Sequence, residues 1–145
     1  MIGLLQRVSH AEVEIDGRKV GVIGPGLMVL VGVRPLDDEA SARRLLVRVL
    51  QYRIFPDEAG KMNLSLTQAK GQLLLVPQFT LAADTAKGLR PGFSTAAPPE
   101  QGRRLFDSLV QSARELHGSV ETGVFGAHMH VSLTNDGPVT IWLES

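Results

Sequence analysis

The five residues Leu27-Met28-Val29-Leu30-Val31 are apolar without a break, and Gly26 and Gly32 bound them. Such a run is short for a helix and too apolar for a strand with one wet face, so it reads as a strand buried on both sides. Leu73 to Val76 has the same character, and Pro77 marks its end. A strand of this kind needs cover on both faces, and the rest of the chain supplies it.

Part of that cover is helical. Ala42, Leu45, Leu46, Val49 and Leu50 follow the spacing of an amphipathic helix, with Arg43, Arg44 and Arg48 on its other side. Asp37-Asp38 offers capping oxygens at its start. A second helix carries Leu105, Phe106, Leu109, Val110, Ala113 and Leu116 as its apolar stripe, and Gly118 can end it. Other segments alternate as half-buried strands do. Ala11, Val13 and Ile15 alternate with Glu12 and Glu14 ahead of an Asp16-Gly17 hairpin turn. Met129, Val131 and Leu133 alternate with His128, His130 and Ser132. Asn135 to Pro138 reads as a turn, with Val139, Ile141 and Leu143 forming a last strand. The segment 56–71 is turn-rich, and 84–99 is a long Gly/Pro-rich loop of the kind that is uncommon in compact domains unless it is functional. This order predicts one α+β domain over residues 1–145. Its sheet is mainly antiparallel or mixed and barrel-like, with two principal helices on one face.

Fifteen acidic residues balance fifteen basic ones, so any nucleic-acid contact must come from a local patch. Candidates for such a patch are Arg43, Arg44, Arg48, Lys87, Arg90, Arg103 and Arg104, although solvated helix and loop surface would look the same. The chain has no cysteine, which removes disulfides, thiolate metal sites and Cys nucleophiles and fits a reducing compartment. The first residues lack the pattern of a signal peptide, and no apolar run approaches a membrane span of roughly 20 residues. A soluble cytoplasmic protein is expected.

The usual catalytic sets are missing. There is no Gly-x-Ser-x-Gly elbow, no His-Glu-x-x-His and no phosphate loop. His128 and His130 would share a strand face, but no third metal ligand stands near them in sequence. Two stretches remain. Val76-Pro77-Gln78-Phe79-Thr80-Leu81 places polar groups at the end of an apolar strand. Thr80 is there either as a β-branched strand residue or as a hydroxyl and backbone N–H able to stabilise an oxyanion. In Asn135-Asp136-Gly137-Pro138-Val139-Thr140 the Gly-Pro bond is either an ordinary trans turn or a cis bond that aims two carbonyls at a ligand. A site built from these parts works with backbone groups and shape, which suits reactions needing positioning and little activation.

Pro77-Gln78-Phe79-Thr80-Leu81 resembles the Ser-Gln-Phe-Thr-Leu motif of the D-aminoacyl-tRNA deacylases, and Asn135-x-Gly137-Pro138-x-Thr140 resembles their second signature. Gln6-Arg7-Val8, Tyr52-Arg53-Ile54-Phe55, Gly60-Lys61-Met62-Asn63-Leu64 and Arg90-Pro91 agree in order, so the resemblance spans the whole chain. It implies a homodimer that hydrolyses the ester between a D-amino acid and the terminal adenosine of tRNA, with no metal or other cofactor. Gln78, Phe79 and Thr80 would line the reaction centre, with the Thr80 backbone placed for the oxyanion. Gly137 and Pro138 would reach into the partner subunit's site as the chiral filter, and Arg7 would hold their turn. Ala97, Phe125, Gly126 and Met129 would form the pocket for the terminal adenine. The tRNA's own 2′-hydroxyl would assist the reaction, and glycyl-tRNA, having no side chain to reject, would also be cut.

One departure is Pro77, where the family motif begins with Ser. A related deacylase of relaxed chirality also has Pro-Gln there but lacks Phe79. Two alternatives therefore stand beside the D-specific esterase. One is a relaxed deacylase that also clears L-alanyl-tRNA. The other is a non-catalytic module that binds the acceptor end of tRNA.

Overall fold

The computed structural model describes all 145 residues. Its spine is β1 (Ile2–Ile15), one long strand with partners on both edges. On one edge its first half pairs with β3 (Gly26–Gly32) and its second half with β2 (Arg18–Ile23), both antiparallel. β8 (His130–Glu144) runs antiparallel along the other edge. Beyond β3 lie β6 (Gln72–Pro77) and β7 (Val120–Thr122), each parallel to its neighbour. The six-stranded sheet is therefore mixed, as expected. The Asp16-Gly17 turn between β1 and β2 uses positive φ at both residues, as a tight hairpin requires.

The sheet curls until β2 comes to lie over β6 and β7, nearly closing a barrel. Gly21 permits the contact, because a Cβ there would meet the Thr122 carbonyl oxygen at 3.0 Å. Inside the curl sits a core of seven buried residues that includes Val13, Ile23, Met28 and Leu74. A larger core of 23 lies between the outer face of the sheet and the helices. Leu27, Val29 and Val31 of β3 point to the larger core and Met28 to the smaller, so the unbroken apolar run does serve two layers.

Two helices pack on that outer face. In α1 (Glu39–Gln51) the predicted stripe is buried, and the Asp38 carboxylate accepts the Ser41 N–H at 2.7 Å as an N-cap. Asp37 is used differently: it accepts the Arg34 N–H at 2.7 Å and pairs with the N-terminal amine. In α3 (Pro99–His117) the stripe is buried except for Leu116, which is exposed. That residue lies in the last turn, past the edge of the sheet's cover.

Several local features differ from the sequence reading. The turn-rich stretch holds a short hairpin, β4 (Phe55–Pro56) with β5 (Met62–Leu64), and a one-turn helix α2 (Leu66–Ala69) with a complete Ser65/Gln68 capping box. β7 was not foreseen, being only three residues long. Asn135 to Pro138 does not separate two strands. Both flanks pair with β1, so the segment is an excursion within one strand.

Gly26 marks the tightest approach in the sheet, since a Cβ there would lie 2.0 Å from the Gln72 carbonyl oxygen. Gly26→Ala must therefore push β3 from β6. A loss of at least about 1–3 kcal/mol is expected in chemical denaturation, and an unchanged midpoint would contradict the strand contact described here.

Candidate active site

At the end of β6, Pro77 pairs with Val31, and the Gln78 N–H donates to the Val31 carbonyl at 2.8 Å. The chain then leaves the sheet through a 3-10 turn, Phe79–Ala82. Its first carbonyl, that of Gln78, accepts from the Leu81 N–H at 3.3 Å. The N–H groups of Phe79 and Thr80 precede that bond and have no partner within the turn. Thr80 is thus neither in a strand nor buried. Its hydroxyl accepts a hydrogen bond from the Gln78 side-chain amide, which fixes that amide over the turn.

Beside this turn lies a cavity of about 220 Å³, lined by Val31, Val33, Pro77, Phe79, Ala97, Pro99, Gly102, Phe106, Phe125 and Gly126. No side chain in that set titrates. The carboxyls held below their ordinary range are Glu12 (by Lys19), Asp38 (by Ser41), Asp57 (by Asn63) and Glu144 (by Arg34). None of them lines the cavity. No three His, Asp or Glu side chains are grouped to share a metal ion; the His128 and His130 rings are edge to face, 5.3 Å apart.

The wall carrying Phe125 is built by the first turns of α3. A Cβ on Gly102 would stand 3.1 Å from the Phe125 ring, so the glycine lets the ring lie against the helix. Arg103 holds it from the next position. Its guanidinium lies 5.1 Å from the ring centroid, and Nη2 donates to the Phe125 carbonyl at 3.2 Å. Ala97 enters the wall because its N–H donates to the Val33 carbonyl at 2.9 Å. Met129 is not in the wall. Its sulfur accepts from the Val124 N–H at 3.3 Å, supporting the turn that presents Phe125.

The Gly137-Pro138 segment lies elsewhere. In the β1–β8 ladder, Gln6 faces Thr140 and Val8 faces Asn135. One residue of β1, Arg7, therefore opposes four of β8, Asp136 to Val139, and those four must project from the sheet. Asn135 closes the base of the projection. Its Oδ1 accepts the Val139 N–H at 2.7 Å, and its Nδ2 donates to the Val139 carbonyl at 3.1 Å. Arg7 braces it, donating from Nε to the Asp136 carbonyl at 2.8 Å and from Nη1 to the Ile54 carbonyl at 2.6 Å. The Gly137-Pro138 peptide is cis, and both residues are exposed.

The chain thus brings together Phe79, Ala97, Phe125 and Gly126 at the cavity, with Gln78 and Thr80 at its edge. Gly137, Pro138 and Arg7 form a separate structure that is not part of its wall. In the sequence Arg103 stands as a candidate for a phosphate-contacting patch or as solvated surface, with nothing to tie it to Phe125, and Gly102 does not stand out. A glycine within the helical pattern was the available signal.

Residues 4–144 match the family described as D-Tyr-tRNA(Tyr) deacylase. A D-aminoacyl-tRNA deacylase of Thioalkalivibrio sulfidiphilus is 64% identical over 144 residues, covering 99% of this chain and 97% of its own. One from Azotobacter vinelandii is 59% identical over the full length of both chains. Among solved structures, one described as c-Myc DNA Unwinding Element Binding Protein superposes with a TM-score of 0.95 at 36% identity, covering 100% of this chain and 99% of that one. A probable eukaryotic D-amino acid tRNA deacylase shares the fold at a TM-score of 0.89 and 18% identity, covering 99% and 98% of the two chains. With nearly its whole length matched by the family and by relatives of this identity, the chain belongs to the D-Tyr-tRNA(Tyr) deacylase family.

Proposed function

We propose that the protein is a D-aminoacyl-tRNA deacylase that acts as a homodimer, each cavity being completed by the Gly137-Pro138 projection of the other subunit. The observation that carries this reading is the separation just described. A cavity suited to an apolar, planar group lies beside two backbone N–H groups without partners in their turn, while the braced projection points away from the sheet. A second copy is the natural receiver of such a projection.

The terminal adenine enters the cavity against Phe125, with Ala97 and Gly126 around it. The ester carbonyl then lies at the 3-10 turn, where the Thr80 N–H stabilises the oxyanion. Water attacks the carbonyl carbon, the bond to the ribose 3′-oxygen breaks, and the neighbouring 2′-hydroxyl relays a proton to that oxygen. An aminoacyl ester is already labile, so holding it in line can replace a protein base. The projection's carbonyls occupy the space that an L side chain would need, so L esters are rejected by clash whatever their side chain. Glycyl-tRNA has no side chain to reject and is cut as well. A wider reading, clearance of L-alanyl-tRNA, is favoured by Pro77 alone.

Complementation tests the shared site. Gly137→Ala disables the projection and Ala97→Phe fills the cavity. Unfolding and refolding the two variants together produces mixed dimers in which one site is intact, so about a quarter of wild-type activity returns from random pairing. No recovery from dimers shown to be mixed contradicts the cross-subunit assignment. A pH profile gives a second check. With no titrating side chain in the cavity wall, log kcat lacks a protein inflection between about pH 5 and 8; a bell in that range contradicts the base-free mechanism.

A further inference from the structure

The cavity accounts for one nucleoside, yet apolar surface continues outside it. Phe79 and Phe93 are 53% and 43% exposed, and their rings pack tilted at 58° with centroids 5.0 Å apart. Phe79 is also part of the cavity wall, so the pair extends that wall outwards. Two exposed phenylalanines in contact are uncommon unless something covers them.

Phe93 is held at the foot of a loop. Asp84 and Gly92 exchange both backbone hydrogen bonds, at 2.8 and 2.9 Å, and close off residues 85–91. Within that loop Lys87 and Arg90 are exposed, and neither makes an ion pair. The one carboxylate of the segment, Asp84, stands at its base, where it is exposed and accepts the Ala86 N–H at 2.9 Å, so the two cations outnumber it. The loop is therefore cationic, and its base is an aromatic face.

We infer that the Phe79–Phe93 face and the 85–91 loop form a second nucleotide subsite, which takes the unpaired nucleotide immediately 5′ of the terminal adenosine. Its base stacks on Phe93, and Lys87 and Arg90 meet the phosphates on its 5′ side. An aromatic platform beside a cationic groove is how proteins hold single-stranded RNA without reading its sequence. The order along the strand follows from adjacency: Phe79 lines the cavity and touches Phe93, so a nucleotide on Phe93 adjoins the one in the cavity. The inference rests on the deacylase reading of that cavity.

Two substrates separate this subsite from the cavity. One is D-tyrosyl-tRNA and the other is 3′-O-D-tyrosyl-adenosine, which has no preceding nucleotide. Phe93→Ala is expected to lower kcat/KM on the tRNA by roughly 10-fold or more, mainly through KM, and to leave the adenosine ester within about 2-fold. Phe93→Trp restores the tRNA rate and Phe93→Leu does not. Lys87→Ala with Arg90→Ala flattens the salt dependence on tRNA by about 0.7 in log–log slope for each phosphate that is no longer neutralised. Equal loss on both substrates overturns the inference, because Phe93 would then act through Phe79. Loss of the dimer in Phe93→Ala overturns it in favour of a subunit contact. A full rate on both substrates also overturns it, while leaving the deacylase reading intact. Wild-type protein that hydrolyses neither ester overturns both.

Discussion

Gly137→Ala is expected to cost on the order of 100-fold in kcat/KM on D-tyrosyl-tRNA, the penalty of misplacing a positioning group by about 1 Å. An added Cβ would stand 2.6 Å from the Val139 nitrogen and 2.6 Å from its Cγ2. One of these must move, and the nitrogen is the group that Asn135 clamps. Displacing Val139 opens the base of the projection, and the Arg7 brace to the Asp136 carbonyl acts on the same few residues. Asp136, Gly137 and Pro138 are exposed and only Val139 packs, half-buried, against the core, so Tm falls by no more than about 4 °C, the shift expected for 1 kcal/mol or less. A variant with wild-type kcat/KM would show that the projection does not touch the reaction.

The second large effect is expected from an atom that ordinary mutagenesis cannot remove. Replacing Thr80 by its α-hydroxy analogue converts the backbone N–H into an ester oxygen and keeps the side chain. If this N–H stabilises the oxyanion, kcat falls about 10²–10³-fold. Thr80→Ala keeps the N–H and loses only the hydroxyl that receives the Gln78 amide, so its cost is within about 10-fold, the worth of one neutral hydrogen bond. The opposite ranking, with Thr80→Ala inactive and the ester analogue active, would transfer the role to the hydroxyl.

The legible parts of the fold were those where burial follows a period. Leu27 to Val31 and Leu73 to Val76 announced a sheet covered on both faces, and Leu45, Leu46 and Val49 announced one of its covers. Leu116 obeyed the same period and is exposed, because periodicity marks a face but not where the neighbouring sheet ends. β7 is held by its parallel pairing with β6, a long-range contact without a local signature. The Asn135 to Pro138 segment has turn chemistry, and local chemistry alone does not distinguish a turn between strands from a projection within one. The register on both sides of Arg7 decides it.

The site divides in the same way. Phe79, Ala97, Phe125 and Gly126 could be named from motifs, and they meet at one cavity. Arg103 could be named only as a cation, because its contact with Phe125 depends on how the turn after β7 folds back on α3. The 3-10 geometry that leaves the Thr80 N–H without a partner in its turn was hidden for a similar reason. Pro77 marks the strand's end, but nothing in Gln78-Phe79-Thr80 specifies a 3-10 turn, and the ladder stops where the next carbonyl along that edge, that of Val33, is taken by the Ala97 N–H.

The central claim is a backbone-built site that removes D-amino acids from tRNA and refuses L. Its most direct test is hydrolysis of matched D- and L-tyrosyl-tRNA by the same folded preparation, with L-alanyl-tRNA alongside and a strong chelator present. Rapid loss of the D ester alone is the predicted result. Hydrolysis of L-alanyl-tRNA at a comparable rate would contradict the chiral filter, and folded protein that leaves all three esters intact would contradict catalysis itself.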